Sequence, residues 1–436
     1  MNEQPTSYRY RAVLWLTSAA ALAYLCRNAV GVAESTIRSD IVLSLDQSGW
    51  FMGAFFWSYA LLQVPSGWWV QRVGTRVALT VFAVVWAAAT LGISVASGFG
   101  GLLAAQIVMG AAQAGVFPAA CHSIGHWMPL TSRSMACGWL TAGMQVGAIA
   151  ASGLTGELLQ PFGWRAVFVV FAIPSLLWAL GFALRFRNQP VEVAQLNAAE
   201  RELIASPTVG HVKDKSDIDQ RAAEHRVTAQ RATNRPASLG VHWQARFLIL
   251  LCGQQVCRAA GYMFFASWFP TFLQETRGVS IVASGYQQAL VLSGTLTGSL
   301  CGGFVTDWVY CRTGKLQLSR SGVGAFALAG CGLLIFIAFF VADANVAVGL
   351  LASGAFFAAL AGPCAFATTI DVGGNRVAEL FGWMNMTGNL AAAACPVVVA
   401  RIVGWSENWE LALLLFAATY LLGSLCWIGI LLNAAD

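Results

Sequence analysis

The sequence predicts an all-α membrane protein with twelve transmembrane helices in two pseudo-symmetric six-helix bundles. Three observations carry that expectation: an apolar composition, twelve apolar runs of spanning length, and a chemical echo between the first six runs and the last six. Of the 436 residues, 57% are hydrophobic and only 10% charged, where soluble domains carry about 25% charged residues. A lipid-facing surface removes the need for polar cover that such a composition cannot supply, and the mean hydropathy of +0.65 agrees. The net charge of +5 is too small to point to a nucleic acid or an acidic polymer as partner. Eleven cysteines, an odd number without a CxxC spacing, form neither a disulfide framework nor a zinc site and read as small packing residues.

A spanning helix needs about 20 mostly apolar residues. Runs of that kind lie at 11–33, 48–70, 77–97, 99–123, 134–157 and 163–186. The first is too long for a signal-peptide core and no cleavage pattern follows it. The third and fourth share only the short turn Ser97-Gly98-Phe99-Gly100. A second set lies at 244–273, 281–304, 322–342, 346–369, 377–402 and 408–432. The expected division is therefore a first bundle at 1–186, a linker at 187–243 and a second bundle at 244–436. Within the linker, the charged run at 211–236 has no apolar periodicity and is expected to be partly disordered. Residues 191–204 read as a short surface helix.

Basic residues set the expected orientation. With a cytoplasmic N-terminus, Arg9, Arg11, Arg72, Arg76, Arg133, Arg312, Lys315, Arg320, Arg376 and the long basic linker all fall inside. Only Arg38, Arg165, Arg277 and Arg401 fall outside. Both termini are then cytoplasmic, in a cell inner or plasma membrane.

The repeat is seen in matched positions. Cys26-Arg27-Asn28-Ala29 of the first run parallels Cys257-Arg258-Ala259-Ala260 of the seventh. Phe117-Pro118-Ala119-Ala120 of the fourth parallels Gly362-Pro363-Cys364-Ala365 of the tenth, and Gly138-Trp139 of the fifth parallels Gly382-Trp383 of the eleventh. Two such halves are one known transporter plan, with the substrate held near the midplane between them and rocking to alternate access.

A charge within hydrocarbon costs about 2.5–3.5 kcal/mol on insertion scales and persists where it meets water, a partner or a substrate. Arg27 and Arg258 stand deep in equivalent runs, with apolar residues on both sides. Each either snorkels to an interface or joins its counterpart as a cationic clamp. Guanidinium suits a clamp because it stays charged and meets carboxylate or phosphate in a bidentate fork. No acid lies deep in the first half; Asp307 and Asp371 sit near helix ends and Glu34 near an outer end. An anionic ligand would supply the missing counter-charge. Gln63, Gln106, Gln113, Gln145, Gln254, Gln255, Asn385 and Asn389 also lie within the runs. Gln106 and Gln113, seven apart, share a helix face. Such amides suit the hydroxyls of a sugar acid, or else bond helix to helix. The candidate substrate set is Arg27, Arg258, Gln63, Gln113, Gln145, Tyr59, Tyr262, Asn385 and Asn389. His122 and Asp371 are candidates for ion coupling, although a lone histidine is also commonly structural. No catalytic constellation, metal site or cofactor motif is recognisable.

The segment Gly67-Trp68-Trp69-Val70-Gln71-Arg72-Val73-Gly74-Thr75-Arg76 resembles the loop signature of the major facilitator superfamily between its second and third helices. Within that superfamily the chain is similar to the anion:cation symporter family, which includes hexuronate, galactonate and glucarate transporters and vesicular glutamate and sialic-acid carriers. The segments 53–67, Gly115-Val116-Phe117-Pro118-Ala119, Ala266-Ser267-Trp268-Phe269-Pro270, 196–204 and Gly388-Asn389-Leu390 carry that likeness over nearly the whole chain. The resemblance implies that Gly67, Arg72, Gly74 and Arg76 belong to a gating loop and that Arg27 and Arg258 match substrate-carrying arginines. It also marks departures: Gln71 for the usual aspartate of the loop, Cys26 for an aspartate before the first arginine, Gln106 and Gln113 for an arginine and a glutamate, and Met52 for a histidine of some members.

The reading is a secondary transporter, not an enzyme, moving a small organic anion such as a sugar acid or other carboxylate by alternating access. The coupling cation, if any, would be a proton or sodium; the lipid bilayer is the surrounding partner, and no nucleic acid is involved. An uncoupled facilitator or exchanger, or a non-transporting sensor with the same fold, is the alternative.

Overall fold

The computed structural model describes residues 4–205, 241–265, 269–279, 281–406 and 408–433. The charged run at 211–236 and residues 266–268 of the family-like segment lie outside them. The first half comprises α1 (Tyr8–Ile41), α2 (Leu45–Leu61), α3 (Gln63–Val73), α4 (Thr75–Val95), α5 (Phe99–Gln113), α6 (Val116–Trp127) and α7 (Arg133–Arg185). A short α8 (Ala198–Ala205) follows. The second half comprises α9 (Val241–Met263), α10 (Phe269–Arg277), α11 (Ile281–Thr313), α12 (Val323–Phe339), α13 (Ala344–Gly373), α14 (Val377–Ser406) and α15 (Glu410–Asn433).

Twelve spans are present among the described residues once the local breaks are understood. Pro65 has no N–H to give the Leu61 carbonyl and its ring crowds that oxygen. The second span is therefore interrupted at Leu62 (φ −94°, ψ 3°), between α2 and α3. Pro118 stands in the same relation to Ala114, where α5 gives way to α6. The fifth and sixth spans are the two arms of α7, which turns at Gly163 (φ 74°, ψ 168°), a left-handed position that glycine tolerates.

Some ends differ from the expected ones. α1 continues past 33 to Ile41 and α11 past 304 to Thr313. Hydropathy marks the stretch that suits hydrocarbon, whereas the helix itself ends where the backbone is capped. At α11 that cap is Gly314 (φ 65°), whose N–H donates to Tyr310 O at 2.8 Å. The helix expected at 191–204 begins only at Ala198, because the Asn197 side chain accepts from Glu200 N and caps it. It is also not a free surface helix. Glu200 is fully buried and accepts hydrogen bonds from the Tyr8 and Arg9 amides, the Arg9 guanidinium and the Thr6 hydroxyl. A linker carboxylate thus caps the amides that open α1, where a helix carries positive partial charge.

Within each half the spans pack on one another: α1 and α4 on α7, and α9 on α14 and α15. The halves meet through two symmetric pairings, α3 with α14 and α7 with α11, joined by α6 against α13 and α14. The backbones come close there. A Cβ on Gly67 would strike the Ala378 carbonyl, and one on Gly303 would come within 2.6 Å of the Ser134 carbonyl. These contacts lie at the end where α3, α11 and α13 finish and α7 and α14 begin. Outward-facing Leu14, Leu177, Leu180, Phe326, Leu333 and Leu422 leave apolar surface for lipid.

Candidate functional site

Arg27 lies on α1 among aromatic rings. Its guanidinium carbon is 4.3 Å from the Tyr24 ring centre, 4.7 Å from Phe55, 5.4 Å from Tyr59 and 5.5 Å from Phe56. Helical spacing explains the grouping. Tyr24 is one turn before Arg27, while Phe55 and Tyr59 are one turn apart on α2 with rings stacked at 5.5 Å. Ring faces attract a cation, by about 0.5–2 kcal/mol, without neutralising it. No ion pair to Arg27 is present among the described residues.

Arg258 lies on α9 in the other half. Its Nε and Nη2 donate to Gln255 Oε1 at 3.2 and 3.0 Å. That amide orients the guanidinium but carries no charge, and no carboxylate is paired with it among the described residues. The two arginines share an environment: Tyr262 lies within electrostatic reach of Arg27, Arg258 and Tyr24, and Tyr24 within reach of Arg258.

The remaining candidates divide into two groups. Asn385 Nδ2 donates across the seam to Tyr59 Oη at 3.5 Å, and Gln145 Nε2 donates across it to Thr295 Oγ1 at 3.0 Å. Gln63 is buried next to Tyr59, with which its side chain interacts. Of their neighbours, Tyr59 lies 5.4 Å from the Arg27 guanidinium and Tyr262 lies within reach of both arginines and of Gln145. Gln113 instead ties α5 to α1, donating to Ala23 O at 3.1 Å, and Asn389 donates back to Asn385 O at 2.7 Å. Cys26 is buried against Phe171 O and Ser175. Sequence reasoning missed Tyr24, Phe55 and Phe56, although Tyr24 sits at helical spacing from Arg27.

The coupling candidates stand apart. His122 packs edge-on against His126 at 4.8 Å, with Nδ1 unpaired. Asp371 belongs to a charged cluster that closes one end of the molecule. It accepts from Arg133 of the first half at 2.7 Å and from Arg320 of the second at 2.9 Å. Arg320 also pairs with Asp307 at 3.1 Å and donates to Leu130 O across the seam. Asp307 in turn accepts from the amides of Ser134 and Met135 at 3.3 and 2.7 Å, at the positive N-terminus of α7. Between this latch and the arginines, Phe117 of the first half meets Phe366 and Phe381 of the second at 6.2 and 6.4 Å.

The gating-loop residues are placed differently. Gly67 makes the close approach to α14. Arg72 lies over Trp68 at 3.7 Å. Arg76 holds the end of its own half, with Nε to Ala183 O at 2.7 Å and its amide to Asn188 Oδ1 at 2.8 Å, beside Gly74 at φ 81°. Gln71 leaves its Nε2 buried and unpaired. The charged counterpart is in the second half. Gly303, Asp307 and Arg312 repeat the spacing of Gly67, Gln71 and Arg76, a signal available in the sequence but not used.

Two helical halves, closed at one end and holding deep charges between them, define a membrane transporter rather than an enzyme. Residues 16–396 match the Major Facilitator Superfamily, and the chain belongs to that family. Its relatives include the probable sulfoacetate transporter SauU of Cupriavidus necator, 28% identical over 93% of this chain and 89% of that one. The probable galactarate/D-glucarate transporter GudP of Escherichia coli is 25% identical over 94% and 91%. The hexuronate transporter of Bacillus subtilis is 25% identical over 95% and 92%. The last two are carriers of the glucarate and hexuronate type to which the sequence motifs pointed. Among solved structures, the fucose transporter FucP in its outward conformation superposes with a TM-score of 0.69 at 15% identity, covering 97% of each chain. The proton:xylose symporter XylE gives 0.71 at 14% identity, covering 98% of this chain and 95% of that one. Both likenesses concern the fold.

Proposed function

We propose that the chain carries a small organic anion, a sugar acid or a short carboxylate or sulfonate, clamped between Arg27 and Arg258. One observation carries this reading: two deep guanidinium groups, one from each half, have no carboxylate partner among the described residues. A buried charge demands compensation, and a bidentate oxyanion supplies it. The named substrates of the relatives are all anions of this kind. Tyr59, Tyr262, Gln63, Gln145 and Asn385 would meet the rest of the substrate, with Gln113 and Asn389 bracing the helices.

The bundles are assigned to 1–186 and 244–436, with 187–243 as a cytoplasmic linker and both termini cytoplasmic in a plasma or inner membrane. Arginine placement supports that orientation. The latched end is then cytoplasmic and the arginines face outward. Coupling to a proton or sodium is weak or absent, because Gln113 and Cys26 stand where the resembled family has acids and Asp371 is committed to two arginines. An uncoupled exchanger or facilitator is the second reading, favoured by the same residues.

The test is uptake into proteoliposomes of radiolabelled galactarate, glucuronate, galactonate and sulfoacetate, with and without an imposed inward proton gradient. Saturable uptake of at least one anion, unaltered by the gradient, is expected. Uptake of none of them alongside transport of a neutral sugar would refute the anion reading. Strong gradient-driven accumulation, lost on replacing His122, would refute the coupling assignment.

A further inference from the structure

A cleft of about 920 Å³ opens beside the start of α1, at the latched end of the first half and away from the seam. Arg11 and Trp15 of α1 form one wall, and Arg185 at the end of α7 with Arg187 and Glu192 beyond it form the other. Three guanidinium groups face this space, and no ion pair to any of them exists among the described residues. Arg11 rests over the Tyr8 ring at 5.3 Å. Arg187 donates only to the neutral carbonyls of Leu184 and Phe186, at 3.1 and 3.0 Å. Glu192 is turned to the Gln189 amide, which it accepts at 3.2 Å. The nearby acid Glu200 is already occupied by Arg9 and the α1 amides.

The mouth of the cleft adjoins apolar surface. Leu14 is 68% exposed and Leu184 64% exposed, on the two helices that form the walls. The basic groups therefore sit where spanning helices leave the hydrocarbon, the level at which phosphate groups of a bilayer lie and at which tryptophan is favoured. Basic pockets between spans at that level suit phospholipid headgroups, and arginine forks match phosphate oxygens two at a time.

We propose that this cleft binds the headgroup of an anionic phospholipid, its phosphate held by Arg11, Arg185 and Arg187 and its acyl chains lying over Leu14 and Leu184. A lipid in this place joins α1, the helix that carries Arg27, to the end of α7. Both sources of phosphate chemistry, lipid and free ion, fit three arginines; the apolar rim favours the lipid.

The experiment uses the full chain in detergent and native mass spectrometry with added phosphatidylglycerol or phosphatidylcholine. The wild-type protein should retain phosphatidylglycerol in preference to phosphatidylcholine. Each arginine at an anionic lipid is worth roughly fivefold in affinity, so Arg185→Gln should lower retention about fivefold and the triple Arg11→Gln/Arg185→Gln/Arg187→Gln variant roughly a hundredfold. Arg312→Gln/Lys315→Gln, at the same end but outside the cleft, should leave retention unchanged. If the triple variant does not fold, the exposed Arg185→Gln substitution decides alone. Retention by Arg185→Gln equal to wild type, or thermal protection by inorganic phosphate that matches that of short-chain phosphatidylglycerol, would overturn the proposal.

Discussion

Arg133 of the first half reaches across the seam to Asp371 at 2.7 Å, and Arg320 holds the same carboxylate from the other side at 2.9 Å. Replacing Asp371 by Asn removes the charge on which both contacts depend. Arg320 keeps Asp307 in either arrangement, so the closed one should lose only the partly exposed Arg133 contact, about 1.5 kcal/mol. Maleimide labelling of a Leu130→Cys probe, with Cys301 and Cys311 replaced by serine, should rise. Unchanged labelling would mean that the apolar seam alone keeps this end shut.

The second prediction concerns the asymmetry of the latch. Asp307 serves the N-terminus of α7, whereas Gln71 at the matching position has an unpaired amide beside the start of α14. Glu379 in the first turn of α14 is held by Arg376 of its own half; Gln71→Asp should add a carboxylate from the other half, stabilising the closed end by about 0.5–1 kcal/mol. A higher melting temperature and slower uptake are expected. Faster uptake at unchanged stability would contradict the assignment.

For the arginine pair, charge and geometry separate cleanly. Arg27→Lys keeps the charge but loses the fork and its fit among the rings, so the apparent KM should rise about tenfold or more. Arg258→Ala should abolish binding of the anion in isothermal titration while the protein stays monodisperse, since only Gln255 loses a partner. Near-normal uptake by both variants would remove the clamp.

At the other end of α1, Glu200→Ala exposes the consequence of the linker cap. The amides of Tyr8 and Arg9 lose their acceptor, which costs about 1–3 kcal/mol. Hydrogen exchange in the first turn of α1 should accelerate by about tenfold or more, with the central spans unaffected. Unaltered exchange there would show that α1 is held by packing on α7 alone.

The twelve spans, and the placing of Arg27 and Arg258 as lone charges within two of them, were legible because their signals are local. A run of apolar residues, or a lone charge inside one, is visible without knowing what it touches. The latch was not legible in the same way. Arg133 and Asp371 are 238 residues apart, and reading each charge by itself sorted Arg133 and Arg320 with the orientation charges and Asp371 with the coupling candidates. Glu200 was missed for a related reason: an acid in a short polar helix looks solvated until the N-terminus of another helix is brought against it. The aromatic surround of Arg27 was half legible, since Tyr24 follows from helical spacing but Phe55 and Tyr59 arrive from α2.

The division of partners around Asp371 bears on how the molecule changes shape. Arg320, Asp307 and Asp371 all belong to the second half, so separation of the halves parts Arg133 from Asp371 and the α7 amides from Asp307 but leaves both carboxylates with Arg320. Neither acid is stripped bare as the seam parts. Arg133, already partly exposed, passes to water instead. Opening is then an exchange of neighbours rather than a loss of them, which keeps the two shapes close in free energy and lets a single small ligand tip the balance between them.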